Sequence, residues 1–303
     1  MKTLFGVVIA IVSLMSAPLW AVDLYGRANL SYEYVSDELG DYTELVSNYS
    51  KIGLKGEEGI REGITAVYKF EYHIILDDGE TFKPFNIYAG IKGSYGTLIG
   101  GYFDTPLRRA QNKVDLFNFL RGDIKNMLTV NENRKGNSVM YISPGWKHLT
   151  AYLAHIASES PDVDSGMSAA AIFDRGPWYA ALAMDESVEE EGAQAVRLVA
   201  HYQAETFQLG ALYEIYSAPN ADQVNAWLVS AKYAVSEHWV AKIQSGLSDI
   251  VYKNATSTSL GLDYVFSKTY RTYVFYTAEQ VNAELPEDDQ DNDYLGLGFE
   301  WYF

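Results

Sequence analysis

The sequence predicts an all-β fold, a transmembrane antiparallel β-barrel of about sixteen strands that closes between its first and last strands. Three observations predict it. Segments of about ten residues with alternating apolar and polar side chains fill the chain from Val22 onward. Their connections alternate in length, short and then long. The two terminal segments are each apolar on one face only, and each carries an open edge that needs a partner.

The last segment, YLGLGFEWYF, places Leu295, Leu297, Phe299, Trp301 and Phe303 on one face. Gly296, Gly298, Glu300 and Tyr302 fall on the other, because strand side chains alternate with period two. The first, VDLYGRANLSYEY, sets Leu24, Ala28, Leu30, Tyr32 and Tyr34 against Tyr25, Arg27, Asn29, Ser31 and Glu33. Pairing the two closes the sheet. With the apolar faces outward and the polar faces inward, the closed sheet suits a bilayer.

Before Val22 the chain reads as a secretory signal, residues 1–21, with Lys2 as the positive start and an apolar stretch from Leu4 to Met15. Ala21 is the small residue at the expected cut, and 22–303 is the barrel. Beyond residue 21 no run approaches the ~18 apolar residues of a membrane helix. Cysteine is absent, which excludes disulfides, thiolate metal sites and cysteine nucleophiles. The net charge of −17 argues against nucleic acid as a partner. His73, His148, His155, His201 and His238 are scattered, and neither G-x-S-x-G nor H-E-x-x-H occurs, so neither an enzyme nor a metal centre is expected.

In order, the segments after the first are SKIGLKG, ITAVYKFEYHIIL, NIYAGIKG and GTLIGGYF, the last ending at Phe103. The pattern resumes with NSVMYIS, HLTAYLAHIA, MSAAAIFD, WYAALAMD, AVRLVAHYQA and TFQLGALYEIYS. NAWLVSAKYAVS, HWVAKIQSGLS, STSLGLDYVFS and YRTYVFYTAE lead to the final strand. Short links are expected at 93–96, 143–147, 175–177, 205–206, 236–238 and 267–269, on the periplasmic rim. Longer ones are expected at 36–49, 77–84, 158–166, 185–192, 217–224, 249–256 and 279–293, on the outer rim. Tyr32, Tyr34, Trp178, Tyr233, Trp239, Tyr270 and Trp301 fall near strand ends, where aromatic girdles form.

One insert, 104–134, is far longer than ordinary connections. Leu107, Val114, Leu116, Phe117, Phe119, Leu120, Met127 and Leu128 make it too apolar for disorder. Such a loop must bury itself, either in the barrel interior or as a helical hairpin over the outer rim.

The segments VDLYGRANLSYEY, SKIGLKGEE, YAGIKGSYGTLIGGYFDTP, NSVMYISP and GLDYVFSKTYRTYVFY, with the terminal Phe303, occur in the order found in one family. The chain resembles the Gram-negative general porins, trimeric diffusion channels of the outer membrane. The resemblance implies a passive channel for small hydrophilic solutes and ions, without cofactors, assembled as a homotrimer. It also implies that the 104–134 insert is a constriction loop whose acidic side chains face a basic ladder across the pore. The acidic candidates are Asp104, Asp115, Asp123 and Glu132; the basic ones are Lys51, Lys55, Lys92, Arg134 and Arg197. Lys51 and Arg134 match ladder positions, whereas Phe85 stands at a third, and the family's loop segment is replaced around 116–123.

From the net charge, mild cation preference is expected. A channel specific for sugars or anions is the alternative; Tyr25, Tyr88 and Tyr273 point inward. Asp185, Glu186 and Glu189 to Glu191, with Glu287, Asp288, Asp289, Asp291 and Asp293, are expected in outer loops. There they either solvate the rim or bind lipopolysaccharide phosphates through divalent cations.

Overall fold

A computed structural model describes residues 22–77, 82–281 and 289–303. The expected signal segment lies outside the described residues, as do Glu287 and Asp288 and the middle of the 77–84 and 279–293 connections.

Every described strand pairs antiparallel with its neighbours, and the sheet closes on itself. The closure is the expected one. In β1 (Val22–Asp37) and β17 (Gln290–Tyr302), Arg27 faces Tyr302 and Ser36 faces Asp293, with the rungs between them filled. Beyond the last rung, the Gly26 amide donates to the Phe303 carbonyl at 2.9 Å and the Phe303 amide returns the bond at 3.2 Å. Gly26 has no side chain because the Phe303 ring occupies the place of its Cβ. A barrel without edges satisfies its backbone within the sheet, the condition for crossing a bilayer with strands.

Among the described residues there are seventeen strands making sixteen staves, because β2 (Gly40–Ser47) and β3 (Lys51–Arg61) both pair with β1. The break between them is held by Ser50, whose hydroxyl accepts from the Asn29 amide at 2.9 Å where a backbone carbonyl would otherwise stand. Tyr49, inside the break, adopts a left-handed backbone with φ of 54°.

The long link expected at 36–49 is therefore mostly strand. β1 runs on to Asp37, and a tight turn at Glu38 and Leu39 leads into β2. Asp41 and Glu44 blur the alternation of β2, and the break hides its continuity with β3. The remaining staves are β4 (Ile64–Ile74), β5 (Phe82–Gly93), β6 (Gly96–Asp104), β7 (Arg134–Ile142), β8 (Leu149–Ile156) and β9 (Gly166–Arg175). β10 (Trp178–Glu186), β11 (Gln194–Gln203), β12 (Phe207–Ser217), β13 (Val224–Ala234), β14 (Trp239–Ser248), β15 (Ala255–Val265) and β16 (Tyr270–Val281) complete the wall.

Burial alternates along the strands as predicted. In β10, Trp178, Leu182 and Met184 are exposed outward, and Tyr179, Ala181, Ala183 and Asp185 are buried inward. Near the rim of short turns the outward aromatics touch in series. Trp239 meets Tyr264, Tyr264 meets Phe266, Phe266 meets Tyr270, and Trp301 meets Phe303. Such rings suit the bilayer interface, apolar on the face and polar at the tip.

Candidate functional site

The insert lies inside the barrel. It is built on two short helical turns, α1 (Pro106–Ala110) and α2 (Ile124–Met127). Thr105 caps the first, where Pro106 costs no hydrogen bond, and Asp123 caps the second. Leu107, Ala110, Val114, Ile124, Met127 and Leu128 pack on the inward Ala and Tyr side chains of β9 to β12. Phe117 and Leu120 pack on Tyr273 and Phe275 of β16.

A loop buried this way carries backbone groups that must find partners, and side chains of the wall supply them. The Leu107 amide donates to the Ser168 hydroxyl at 3.2 Å, and Tyr179 donates to the Ala110 carbonyl at 2.9 Å. Gln208 donates to the Lys113 carbonyl at 2.8 Å, Ser230 to that of Val114 at 2.6 Å, and Ser248 to that of Leu128 at 2.7 Å. Gln244 clamps both arms of the tip, accepting from the Leu116 amide at 2.7 Å and donating to the Gly122 carbonyl at 2.9 Å. Gly122 passes so close to Ser259 that a Cβ there would overlap the hydroxyl. The tip is tied to the far wall by Arg121, which pairs with Glu33 at 2.6 Å and with Glu44.

The loop's carboxylates are used mainly to hold it. Asp115, 5% exposed, accepts from the Gln244 side chain at 2.9 Å and from the Phe117 and Ile124 amides. Burial, and then the charge of Asp123, push its carboxyl up to about 7. Asp123 is buried, capping α2 and accepting from the Phe119 amide at 2.8 Å. Glu132 pairs with Arg197 at 2.5 Å, and burial raises its carboxyl despite Arg197 and Arg108. Asp123 and Glu132 thus point into packing, and Asp115 borders the chamber with its oxygens held by amides, which corrects the expected row of acids facing water. A carboxylate near free amides in a short loop caps them before it faces the lumen. Asp104 stands on the lumen wall, pairing with Arg134 at 2.6 Å and Arg108 at 3.0 Å, and Asp115 borders the same chamber from the loop.

Arg197 is corrected likewise. It is fully buried behind the loop, between Glu214 and Glu132, each at 2.5 Å, and does not line the pore. Asp185, expected in an outer loop, is a buried inward residue of β10.

Lys51 faces the lumen, 3.0 Å from Glu71, which also holds Lys69 at 3.4 Å. Lys55 lies over the Tyr25 ring, and Lys92 pairs with Glu57 at 3.1 Å. These two border a lower chamber of about 520 Å³ towards the short-turn rim. Above it lies a chamber of about 640 Å³ between the loop and the wall. Arg109 borders both.

Ten lysines and arginines and four carboxylates border the upper chamber. Arg27, Lys232, Lys242 and Arg271 from the wall, and Lys113 from the loop, are members that the sequence reading did not select, whereas Arg108 and Arg109 were legible as loop cations that could reverse the loop's sign locally. Their inward alternation was visible; their convergence from β1, β13, β14, β16 and the insert was not. Glu300 serves both Arg271, at 2.5 Å, and Arg27, at 3.4 Å. Asp263 serves both Lys242, at 2.9 Å, and Arg271, at 2.7 Å. Among the described residues Arg109, Lys113 and Lys232 have no carboxylate within ion-pair distance.

A closed antiparallel barrel with outward apolar strands, an inward loop and a charged lumen can be set beside known proteins. The family model described as Gram-negative porin matches residues 7–284. The chain belongs to the Gram-negative porins. This porin therefore resides in the outer membrane of a Gram-negative bacterium as a multi-pass β-barrel, and the family is one of passive channels.

Among solved structures, the anion-selective porin from Comamonas acidovorans is similar with a TM-score of 0.79 at 18% identity, covering 93% of this chain and 99% of that one. OmpF from Salmonella typhi, in complex with daunomycin, gives 0.72 at 17% identity, covering 93% and 97%. The trimer form of OmpT from Vibrio cholerae gives 0.68 at 14%, covering 93% and 99%. At these identities the likeness is one of fold. Comparison with curated protein sequences gives no match.

Proposed function

We propose that this porin is a homotrimeric passive diffusion channel for small hydrophilic solutes and that it prefers anions. The observation that carries this reading is the charge of the upper chamber, ten cations to four carboxylates, in a chain whose net charge is −17. Selectivity follows the field where the passage is narrow and water is least able to screen it. Net charge alone suggested mild cation preference. Much of the acid, however, stands elsewhere, including Glu189 to Glu191 in the link between β10 and β11 and Asp291 and Asp293 near the start of β17.

In this reading Lys51 and Arg134, with Asp104 between the cations of the wall and loop, line the narrow part. Lys55 and Lys92 line the lower chamber, and Arg109 with Lys113 and Lys232 supply unpaired positive charge. The anion selectivity of the Comamonas protein is compatible with this sign, and the OmpT trimer with the assembly.

The test is the zero-current potential of the purified protein in a planar bilayer across a KCl gradient. A potential of anionic sign is expected. One of cationic sign would overturn the preference, and no conductance would overturn the channel.

A further inference from the structure

The upper chamber holds a second feature that anion preference does not require. Tyr49, Phe85 and Phe119 form one aromatic cluster with His73. Tyr49 stacks on His73 with centroids 4.5 Å apart and planes 9° apart, and it meets Phe119 at 4.7 Å and Phe85 at 6.0 Å. Phe85 and Phe119 themselves are 6.0 Å apart and both border the chamber, beside Leu116 and Leu120 of the loop.

Cations lie on the ring faces. Arg134 is 3.5 Å from the Phe85 centroid, Lys51 is 5.2 Å from it, and Arg27 is 4.7 Å from that of Phe119. Lys125 sits 4.1 Å from Tyr49. Carboxylates are also near, but Glu71, Asp104 and Glu300 each serve two cations, so positive charge remains in excess around the rings. The Nε of Arg27 and the Nε2 of His73 are buried without a hydrogen-bond partner among the described residues.

Two backbones are strained to make the cluster. Tyr49 has φ of 54° and Phe119 φ of 71°, a region that bulky side chains rarely occupy. Such outliers persist where the surroundings hold them, and they gather at ligand sites. A hydrated inorganic ion gains nothing from aromatic walls, which only give up hydration. A solute with a ring and a negative charge uses both.

We infer that the Tyr49, Phe85 and Phe119 cluster, with Arg27, Lys51 and Arg134, is a subsite for monoanionic aromatic solutes, the aryl carboxylates. The carboxylate is received by Arg134, whose Nε faces Asp104, while Arg27, bonded to Asn48, Tyr49 and Glu300, adds positive charge beside it. The ring lies against the Phe119 and Leu116 side of the chamber. This subsite rests on the anion-preferring reading and narrows it to a chemical class.

The probes are benzoate and cyclohexanecarboxylate, which share charge and size but differ in the π-system, applied to chloride current through single channels. Benzoate is expected to half-block at a concentration roughly two- to tenfold lower, the factor that ring-to-ring contact supplies. Phe85→Leu and Phe119→Leu, which keep the cations, are expected to abolish the difference. Equal block of the native channel by the two acids would overturn the subsite without any variant being needed. A difference that survives in both variants would overturn its location. The KCl potential, taken in the same bilayer, separates the two levels: a cationic sign removes the anion reading and the subsite with it. An anionic sign without ring discrimination removes only the subsite.

Discussion

Tyr49 and Phe119, seventy positions apart in the chain, meet ring to ring at 4.7 Å, and both do so from left-handed backbones. One comes from the break between β2 and β3, the other from the tip of the inserted loop. The break turns the Tyr49 carbonyl to accept from Arg27 at 2.7 Å, and Arg27 in turn covers Phe119. The contact is where the loop, anchored along β9 to β14, reaches the opposite wall.

Behind the loop, Arg197 holds two carboxylates that have no water to turn to. Arg197→Met should leave Glu214 buried without a cation and Glu132 with only the weaker pair to Arg108 at 3.7 Å, destabilising the barrel by about 3–5 kcal/mol. Urea unfolding of the protein in lipid vesicles reads the loss. Adding Glu214→Gln to the same chain should recover part of it, since one orphaned charge is removed.

Closure depends on the space at Gly26. Gly26→Val places a branched side chain where the Phe303 ring lies and should cost roughly 1–3 kcal/mol through overpacking. The expected outcome is slower insertion into vesicles and a lower unfolding temperature, followed by the gel shift between folded and unfolded barrel. A shift like that of the native protein would mean that Phe303 docks elsewhere.

Lys232 borders the chamber without a carboxylate partner among the described residues, so reversing it strands no charge. Lys232→Glu should move the zero-current potential towards the cationic side, and more at low salt than at high, because screening shortens with ionic strength. Arg197→Met should move it far less, since Arg197 does not face the lumen.

Asp115 gives the loop a pH dependence. Its carboxyl is raised in the folded loop, so its contribution to stability is full below the unfolded value and is lost as pH rises through about 7. Loop fluctuations, read as open-channel noise, should be smaller at about pH 5 than at about pH 8. Asp115→Asn should remove that difference. It should hold the noise near its low-pH level at both pH values, because the amide, like the protonated carboxyl, has no charge to bury.

Much of the architecture could be read from residue order. Alternation told which face of β1 and β17 looks outward, and the unpaired edges of both told that they meet. The apolar content of the insert told that it is buried. The 36–49 stretch was misread because Asp41, Glu44 and the break at Tyr49 interrupt the period. The acids of the insert were misplaced because their orientation depends on which amides lie beside them. Asp123 faces its own helix end and Glu132 faces Arg197, 65 positions away.

By itself, then, the sequence determined a closed outer-membrane barrel with a buried insert, since period-two patterning and edge satisfaction are local properties of a chain that must avoid bare backbone in lipid. The sign of the lumen was decided only by tertiary structure. Carboxylates were drawn into capping and buried pairs, while cations from β1, β13, β14, β16 and the loop were left around one chamber. Charge adds up over the whole chain in composition, but an ion passing through responds to the few charges within a screening length of its path.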